Sequence, residues 1–393
     1  MRKGSAEYRR ATIAMLFVGL AVFSSLYLTQ ALLPTLTETL QTTPSTAALT
    51  VSAATGALAV CVVPASILSE KFGRGRVLII SAVVATALGI VVALSRSIEQ
   101  MIALRALQGV LLAGTPAVAM TWLSEELHND DLPGAMGLYI AGNTVGGLMG
   151  RLIPSFVLEV ASWRWAIAVS ATVSLALALG AWALLPEQKN FVPKESIRPG
   201  AEFWSVVGHL KNPRLVGLAV TAFLGMGVFV SMYNFFGFRA IAQFSLPPAL
   251  AGLTFVMYLS GTWSSARAGT FVGRHGRGRV VVAGAVLMLV GALIGASSNL
   301  WVTLVGLLIF TASFFAMHST ASGWVGQIAE HDRAEASSLY VFSYYMGSSL
   351  LGAATGRAFE ALSWSGFVGV LAALLAALVA VALALAAGER RAR

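Results

Sequence analysis

Twelve stretches of about 20 apolar residues run through this chain, and no other feature restricts its fold as much. An α-helix rises ~1.5 Å per residue, so about 20 residues cover the ~30 Å hydrocarbon layer of a bilayer. The stretches fall at 11–36, 47–68, 77–95, 100–122, 134–157 and 165–186, then at 214–238, 249–268, 280–297, 301–326, 335–358 and 365–387. Lipid offers no partner to backbone N–H and C=O groups, so such runs are expected as helices; a barrel would show short alternating segments instead. Composition agrees. Of the 393 residues, 57% are hydrophobic and 11% charged, against about 45–50% and about 25% in ordinary soluble domains. A soluble core cannot hide that much apolar surface, and so few charges cannot coat one. This argues against a soluble enzyme, a disulfide scaffold and a disordered tail. The expected fold class is all-α integral membrane, with twelve transmembrane helices.

Charge placement sets the expected topology. The run 11–36 follows Arg9-Arg10, but it is too long for the apolar core of an export signal and lacks a small-residue cleavage site, so it reads as helix 1. With the N-terminus inside, the inner face holds Arg2, Lys3, Arg9, Arg10, Lys71, Arg74 and Arg76. It also holds Lys189, Lys194, Arg198, Lys211, Arg214, Arg267, Arg274, Arg277, Arg279, Arg333, Arg390, Arg391 and Arg393. That makes twenty of the 26 Lys and Arg residues; only Arg96, Arg164, Arg239 and Arg357 fall outside or at the outer rim. The asymmetry predicts cytoplasmic termini in an inner or plasma membrane of bacterial type. It also accounts for the net charge of +9 without a nucleic-acid partner. Segment 187–213, with its charges and Pro193 and Pro199, reads as a cytoplasmic linker between an N-terminal six-helix bundle (1–186) and a C-terminal one (214–393). Its part 203–210 has the pattern of a short amphipathic helix on the membrane surface.

The halves echo each other. Gly73-Arg74-Gly75-Arg76-Val77 recurs as Gly276-Arg277-Gly278-Arg279-Val280, 203 residues later, and Ser162-Trp163 recurs as Ser363-Trp364 at an offset of 201. A duplicated six-helix unit predicts two bundles related by a pseudo-two-fold axis along the membrane normal, with a substrate path between them.

Four passages resemble motifs of the major facilitator superfamily. Ser66 to Arg76 resembles its loop motif G-x-x-x-D-R-x-G-R-[KR], with Ser66, Glu70, Lys71 and Gly75 as departures. Gly269 to Arg279 is the second copy, with Arg274 present and Gly273 in place of the acid. Arg105-Ala106-Leu107-Gln108-Gly109 is similar to R-x-x-Q-G. Gly142-Asn143-Thr144-Val145-Gly146-Gly147 resembles the antiporter motif G-P-x-x-G-G with Asn143 for Pro. The resemblance implies the major facilitator fold, a cavity lined by helices 1, 4, 7 and 10, and alternating access, with the drug:proton antiporter branch nearest in motif. It also implies a conformational latch around Glu70, Lys71, Gly73, Arg74 and Arg76, with Arg274 and Arg277 in the second copy. The plainer alternative is that these bases only set topology. Gly142, Gly146 and Gly150 recur every fourth residue and make a smooth face for close helix packing, as Gly352 and Gly356 do in helix 11; such a face is either a sliding surface or a static one.

Arg105 and Arg151 lie within spans, ~8 and ~9 Å from the outer ends at ~1.5 Å per residue. A cation there faces protein or water, or else snorkels to the interface. None of the 17 acidic residues is mid-span. His318 is therefore the candidate proton carrier, the alternative being a buried, hydrogen-bonded neutral imidazole; Glu38 and Glu335 at helix ends are weaker candidates. Tyr27, Gln30, Gln108, Asn143, Tyr233, Asn234, Tyr344 and Tyr345 are the polar and aromatic groups available to line a path for a small, amphiphilic or anionic ligand. Cys61 lies in an apolar run and reads as a packed residue. No catalytic set, metal cluster or phosphate loop is present in the sequence, so neither enzyme activity nor a cofactor is expected, and the default oligomeric state is a monomer. The leading expectation is proton-linked efflux of small organic molecules. An uptake carrier or facilitator for an organic anion or sugar is the first rival, and a non-transporting receptor with a transporter fold the second.

Overall fold

The structure is a computed structural model, and it describes residues 1–128, 130–191, 208–329 and 333–392. The first half contains α1 (Ala6–Tyr27), a 3₁₀ turn (Gln30–Leu32), α2 (Leu33–Thr39), α3 (Pro44–Phe72), α4 (Arg74–Ala93), α5 (Ile98–Leu112), α6 (Pro116–Glu126), α7 (Leu132–Val157) and α8 (Trp163–Leu184). The second contains α9 (Pro213–Ala242), α10 (Pro248–Leu253), a 3₁₀ turn (Thr254–Met257), α11 (Tyr258–His275), α12 (Arg277–Ile294), α13 (Leu300–Ile328), α14 (Arg333–Ala361) and α15 (Trp364–Ala392). Each of the twelve predicted spans meets helix. Three of them are broken rather than continuous: the first into α1 and α2, the fourth into α5 and α6, the eighth into α10 and α11. Proline explains two of the breaks, since Pro34 and Pro116 lack the N–H that an uninterrupted helix needs and are seated in the first turns of α2 and α6. The expected amphipathic segment 203–210 lies outside the described residues up to 207, as do Lys194 and Arg198.

Two compact units emerge. The first comprises Met1–Thr42, Ala53–Ile197 and Pro247–Leu253; the second comprises Thr43–Ser52, Arg198–Leu246 and Thr254–Arg393. Within the first, α1 lies along α7 at backbone contact. A Cβ on Gly142, Gly146 or Gly150 would meet the carbonyl oxygens of Leu16, Leu20 and Ser24 at 2.7, 2.5 and 2.3 Å. In the second, α9 packs on α14 in the same way, and a Cβ on Gly347 would stand 2.0 Å from the Phe223 carbonyl. Gly352 and Gly356 do not take that place: Gly356 faces Ser45 at the start of α3, and Gly352 faces Ser52, Val230 and Asn234. The glycine that matches Gly146 is thus Gly347, 201 residues on.

The repeated Gly-Arg-Gly-Arg strings have a conformational explanation. Gly73 (φ 98°) and Gly276 (φ 82°) sit in the region that only glycine enters readily, and each turns the chain sharply into the next helix. The second glycine of each string admits a capping side chain. The Gly75 N–H donates to Gln188 Oε1 at 2.7 Å, and the Gly278 N–H donates to Glu389 Oε2 at 2.8 Å. A similar pair joins other ends. In the first unit the Ala249 N–H donates to Glu159 (2.8 Å), and in the second the Ser45 N–H donates to Glu360 (2.7 Å). All four are side-chain oxygens satisfying the open N–H groups at a helix start. The Trp repeat also marks equivalent corners: Arg164, over the Trp163 ring, donates to the Ser95 carbonyl at 3.0 Å, and Trp364 Nε1 donates to the Gly295 carbonyl at 3.0 Å.

Candidate functional site

The break in the first span gathers the two buried arginines among the described residues of the first unit, Arg105 and Arg151. Where α1 stops at Tyr27, its last carbonyls have no intrahelical donor. Arg105, fully buried on α5, supplies donors. Its Nη1 donates to the Ser25 carbonyl at 2.8 Å and also to Gln108 Oε1, and its Nη2 donates to the Leu26 carbonyl. Gln108, one turn on, donates through Nε2 to Ser25 Oγ (2.7 Å) and to the Ala85 carbonyl (2.8 Å). The R-x-x-Q-G spacing thereby puts a cation and an amide on one helix face, aimed at one end of α1. Its glycine lets α3 come close, since a Cβ on Gly109 would stand 2.1 Å from the Ala54 carbonyl. A cation at a helix C-terminus is favoured by the carbonyl dipoles, the more so where water is excluded.

Arg151 serves the other side of the same break. Its Nε donates to Gln30 Oε1 at 2.7 Å, its Nη1 donates to the Gly147 carbonyl at 2.6 Å, and its guanidinium lies 4.0 Å from the centre of the Tyr27 ring. Gly147 leaves the room this needs, because a Cβ there would sit 3.2 Å from Arg151 Nη1. Both guanidinium groups are enclosed by protein, Arg105 at 0% and Arg151 at 2% exposure, so neither snorkels to the interface. Asn143 packs at the crossing of α1 and α7, with its side-chain oxygen against Gly19.

The polar groups of the second unit form an aromatic interior. His318 Nδ1 lies 2.9 Å from the Tyr340 hydroxyl, and the imidazole stacks on Phe314 (5.7 Å, 10°) and contacts Tyr344 (4.6 Å). Tyr345 meets Tyr344 edge-on at 5.1 Å. Tyr233 shares a 2.6 Å hydrogen bond with Thr311 and packs on Phe229, Phe255 and Tyr258, while Asn234 beside it is buried. The expected site residues thus fall into two sets, each inside one unit: Tyr27, Gln30, Arg105, Gln108 and Arg151 around the α1 break, and Tyr233, His318, Tyr344 and Tyr345 in the aromatic interior.

The loop motif forms a charged cluster. Arg74 Nε donates to Glu125 Oε1 at 2.6 Å, Nη1 donates to Ser69 Oγ at 3.2 Å, and Nη2 lies 3.7 Å from Glu70. Lys71 and Arg76 are exposed and outside this cluster, as Arg274 is in the second copy; Arg277 is partly buried. Sequence reasoning missed Glu125 and Glu126, at the end of α6. Glu126 is buried and accepts the N–H groups of Lys189 (3.0 Å) and Asn190 (2.9 Å). Lys189 in turn binds Glu7 at 2.7 Å, and the Glu7 carboxylate holds its ammonium above the ordinary lysine range. An adjacent acid pair just before a loop was the available signal. Arg239 was also missed: buried on α9, it donates to the carbonyls of Gly295 (3.0 Å) and Ser297 and so closes the end of α12.

The sequence pattern of the Major Facilitator Superfamily matches residues 15–270. An MFS-type transporter of Bacillus subtilis (strain 168), YybF, is 35% identical over 376 residues, covering 95% of this chain and 93% of that protein. The inner membrane transport protein YnfM of Escherichia coli (strain K12) is 38% identical over 376 residues, covering 95% and 90%. A shorter stretch of 128 residues, 33% of this chain and 31% of the other, is 27% identical to the chloramphenicol resistance protein CraA of Acinetobacter baumannii. Among solved structures, a variant of the nucleoside transporter NupG superposes with a TM-score of 0.79 at 15% identity, covering 97% of this chain and all of that one. A D-xylose-proton symporter gives 0.78 at 14%, covering 96% and 97%. The chain belongs to the Major Facilitator Superfamily. It is a multi-pass membrane transport protein with the superfamily's twelve-helix, two-bundle layout.

Proposed function

We propose that this chain exports small organic molecules across a bacterial inner membrane in exchange for protons, by alternating access, with both termini in the cytoplasm. The observation that carries the reading is the broken first span pinned by Arg105 and Gln108. A break at membrane depth survives only where freed backbone groups find partners, and such breaks are where secondary transporters place their ligands. Here the carbonyls are held by side chains, which are exchangeable partners, so the break is a joint that can be remade. Arg105 acts as a positioning residue and couples α5 to α1; Arg151 does the same through Gln30 and Tyr27. His318 is the proposed proton carrier, since its Tyr340 contact gives it a partner in either protonation state. The Arg74 cluster is the proposed latch at the inner end of the first unit, in which several short contacts replace one weak exposed ion pair. The proposed bundles are 1–186 and 214–393, joined by 187–213. The partial likeness to a chloramphenicol resistance protein favours export, and YnfM's name favours the inner membrane.

Buried cations favour a second reading, uptake of an organic anion. Purified protein in proteoliposomes separates the two. An imposed pH gradient is expected to drive a dye or drug one way only, and to drive it the other way when reversed. Flux of an organic anion that ignores the gradient would establish the facilitator instead, and no flux of any solute would leave a receptor.

A further inference from the structure

A cavity of about 740 Å³ opens at one end of the second unit and has no part in the chemistry above. Its walls are the residues leading into α9 and the last turn of α13, among them His209, Lys211, Asn212, Arg214, Trp324 and Gln327. That volume lies within the ~300–1,000 Å³ of small-molecule sites. The lining is cationic at the rim and apolar at the floor: Lys211 is exposed, whereas Trp324 is 6% exposed, with Ile328 beside it. Arg214 is fixed at the wall because its Nη2 donates to the Gly388 carbonyl at 2.8 Å. Glu389, the acid next along, is turned to the Gly278 N–H at 2.8 Å. The N–H groups of Arg214 and Leu215 are taken by Asn212 Oδ1 (3.0 and 3.4 Å), so what the cavity offers an anion is side chains rather than the helix start.

The position of the cavity identifies the ligand. α9 has 30 residues and α13 has 29, and such lengths at ~1.5 Å per residue exceed the ~30 Å hydrocarbon layer by about 15 Å. The start of α9 and the end of α13 therefore stand at the level of lipid headgroups. Basic pockets between spanning helices at that level suit headgroup phosphates, and a tryptophan floor suits the glycerol and first acyl carbons. We propose that this cavity binds the phosphate of an anionic phospholipid, with Lys211 and Arg214 as its cations and Trp324 against the lipid's apolar shoulder.

Native mass spectrometry of the full-length protein, equilibrated with equal amounts of phosphatidylglycerol and phosphatidylcholine, tests this. At least a five-fold preference for retained phosphatidylglycerol is expected. Lys211→Gln and Arg214→Gln should each cut that preference several-fold, and Arg96→Gln, which is not among the lining residues, should leave it unchanged. Lys211 is exposed, so its variant reports even if Arg214→Gln fails to fold. Equal retention of the two lipids, or an unchanged preference in Lys211→Gln, overturns the proposal. A further arm adds glycerol 3-phosphate, the soluble part of the headgroup. If it displaces the lipid at micromolar concentration, the site is one for a free phosphate ester and the lipid assignment fails.

Discussion

Arg105 and Arg151 show how a bundle with no mid-span acid holds cations in its interior. Their hydrogen bonds go to carbonyls and amides around one helix break. Each buried group stripped of its partner costs about 1–3 kcal/mol, so Arg105→Ala should both abolish transport and lower the unfolding temperature. Arg105→Lys keeps the charge but loses the fork that spans two carbonyls, and should retain less than a tenth of the flux. Wild-type flux in Arg105→Ala would reduce the residue to packing. His318→Gln should flatten the pH profile of transport, and Tyr340→Phe, which removes the hydroxyl but keeps the ring, should shift that profile. A profile identical to wild type in His318→Gln would exclude the imidazole as proton carrier. The arginines were legible in the sequence because a cation in an apolar run is costly. Their partners were not, since a carbonyl freed by a helix break has no mark in the residue string.

Glycine has three uses along these helices, and they separate by substitution. At Gly146 an added Cβ would meet backbone, the Leu20 carbonyl at 2.5 Å and Cα at 2.7 Å. Gly146→Ala should therefore cost about 1–3 kcal/mol by forcing α1 and α7 apart. At Gly73 the difficulty is conformational: an added Cβ would make only ordinary contacts, with Gln188 Oε1 at 3.7 Å and Phe191 at 3.9 Å, but φ of 98° makes Gly73→Ala cost about 1–3 kcal/mol. At Gly137, in the same helix as Gly146, nothing lies within 4 Å, so Gly137→Ala should be neutral or stabilise by up to about 1 kcal/mol through helix propensity. Thermal unfolding in detergent checks all three, and equal losses at Gly137 and Gly146 would refute the close-packing account. The stripe at Gly142, Gly146 and Gly150 could be read from spacing alone. The matching glycine of the second half could not: Gly352 and Gly356 have the right spacing, but Gly347 occupies the contact, because register is set by the partner helix and not by the glycines.

At the scale of the molecule, the charge asymmetry predicts a topology that labelling can read. The single cysteine makes this simple. In a Cys61→Ser background, Val160→Cys, whose side chain is 88% exposed, should react with an impermeant maleimide added outside intact cells. Arg391→Cys should react only after the membrane is opened. Labelling of Arg391→Cys from outside, or of Val160→Cys only after the membrane is opened, would overturn the assigned orientation. The duplication is a property of the same scale. Two strings and one dipeptide pointed to it, and the structure adds repeat-related caps, Gln188 on Gly75 with Glu389 on Gly278, and Glu159 on Ala249 with Glu360 on Ser45.

Membrane insertion, the number of spans, the duplication and the family were carried by the residues themselves. Hydropathy and helix geometry are local, additive properties, and a bilayer leaves helices of this length little alternative. Tertiary structure decided that spans break at Pro34 and Pro116 yet run on through Pro64 and Pro154, which glycine meets which backbone, and where each guanidinium finds its oxygens. Those outcomes depend on atoms far apart in the chain arriving within 3 Å of one another, as Arg105 and Ser25 do across 80 residues, and no local property of either segment records the meeting.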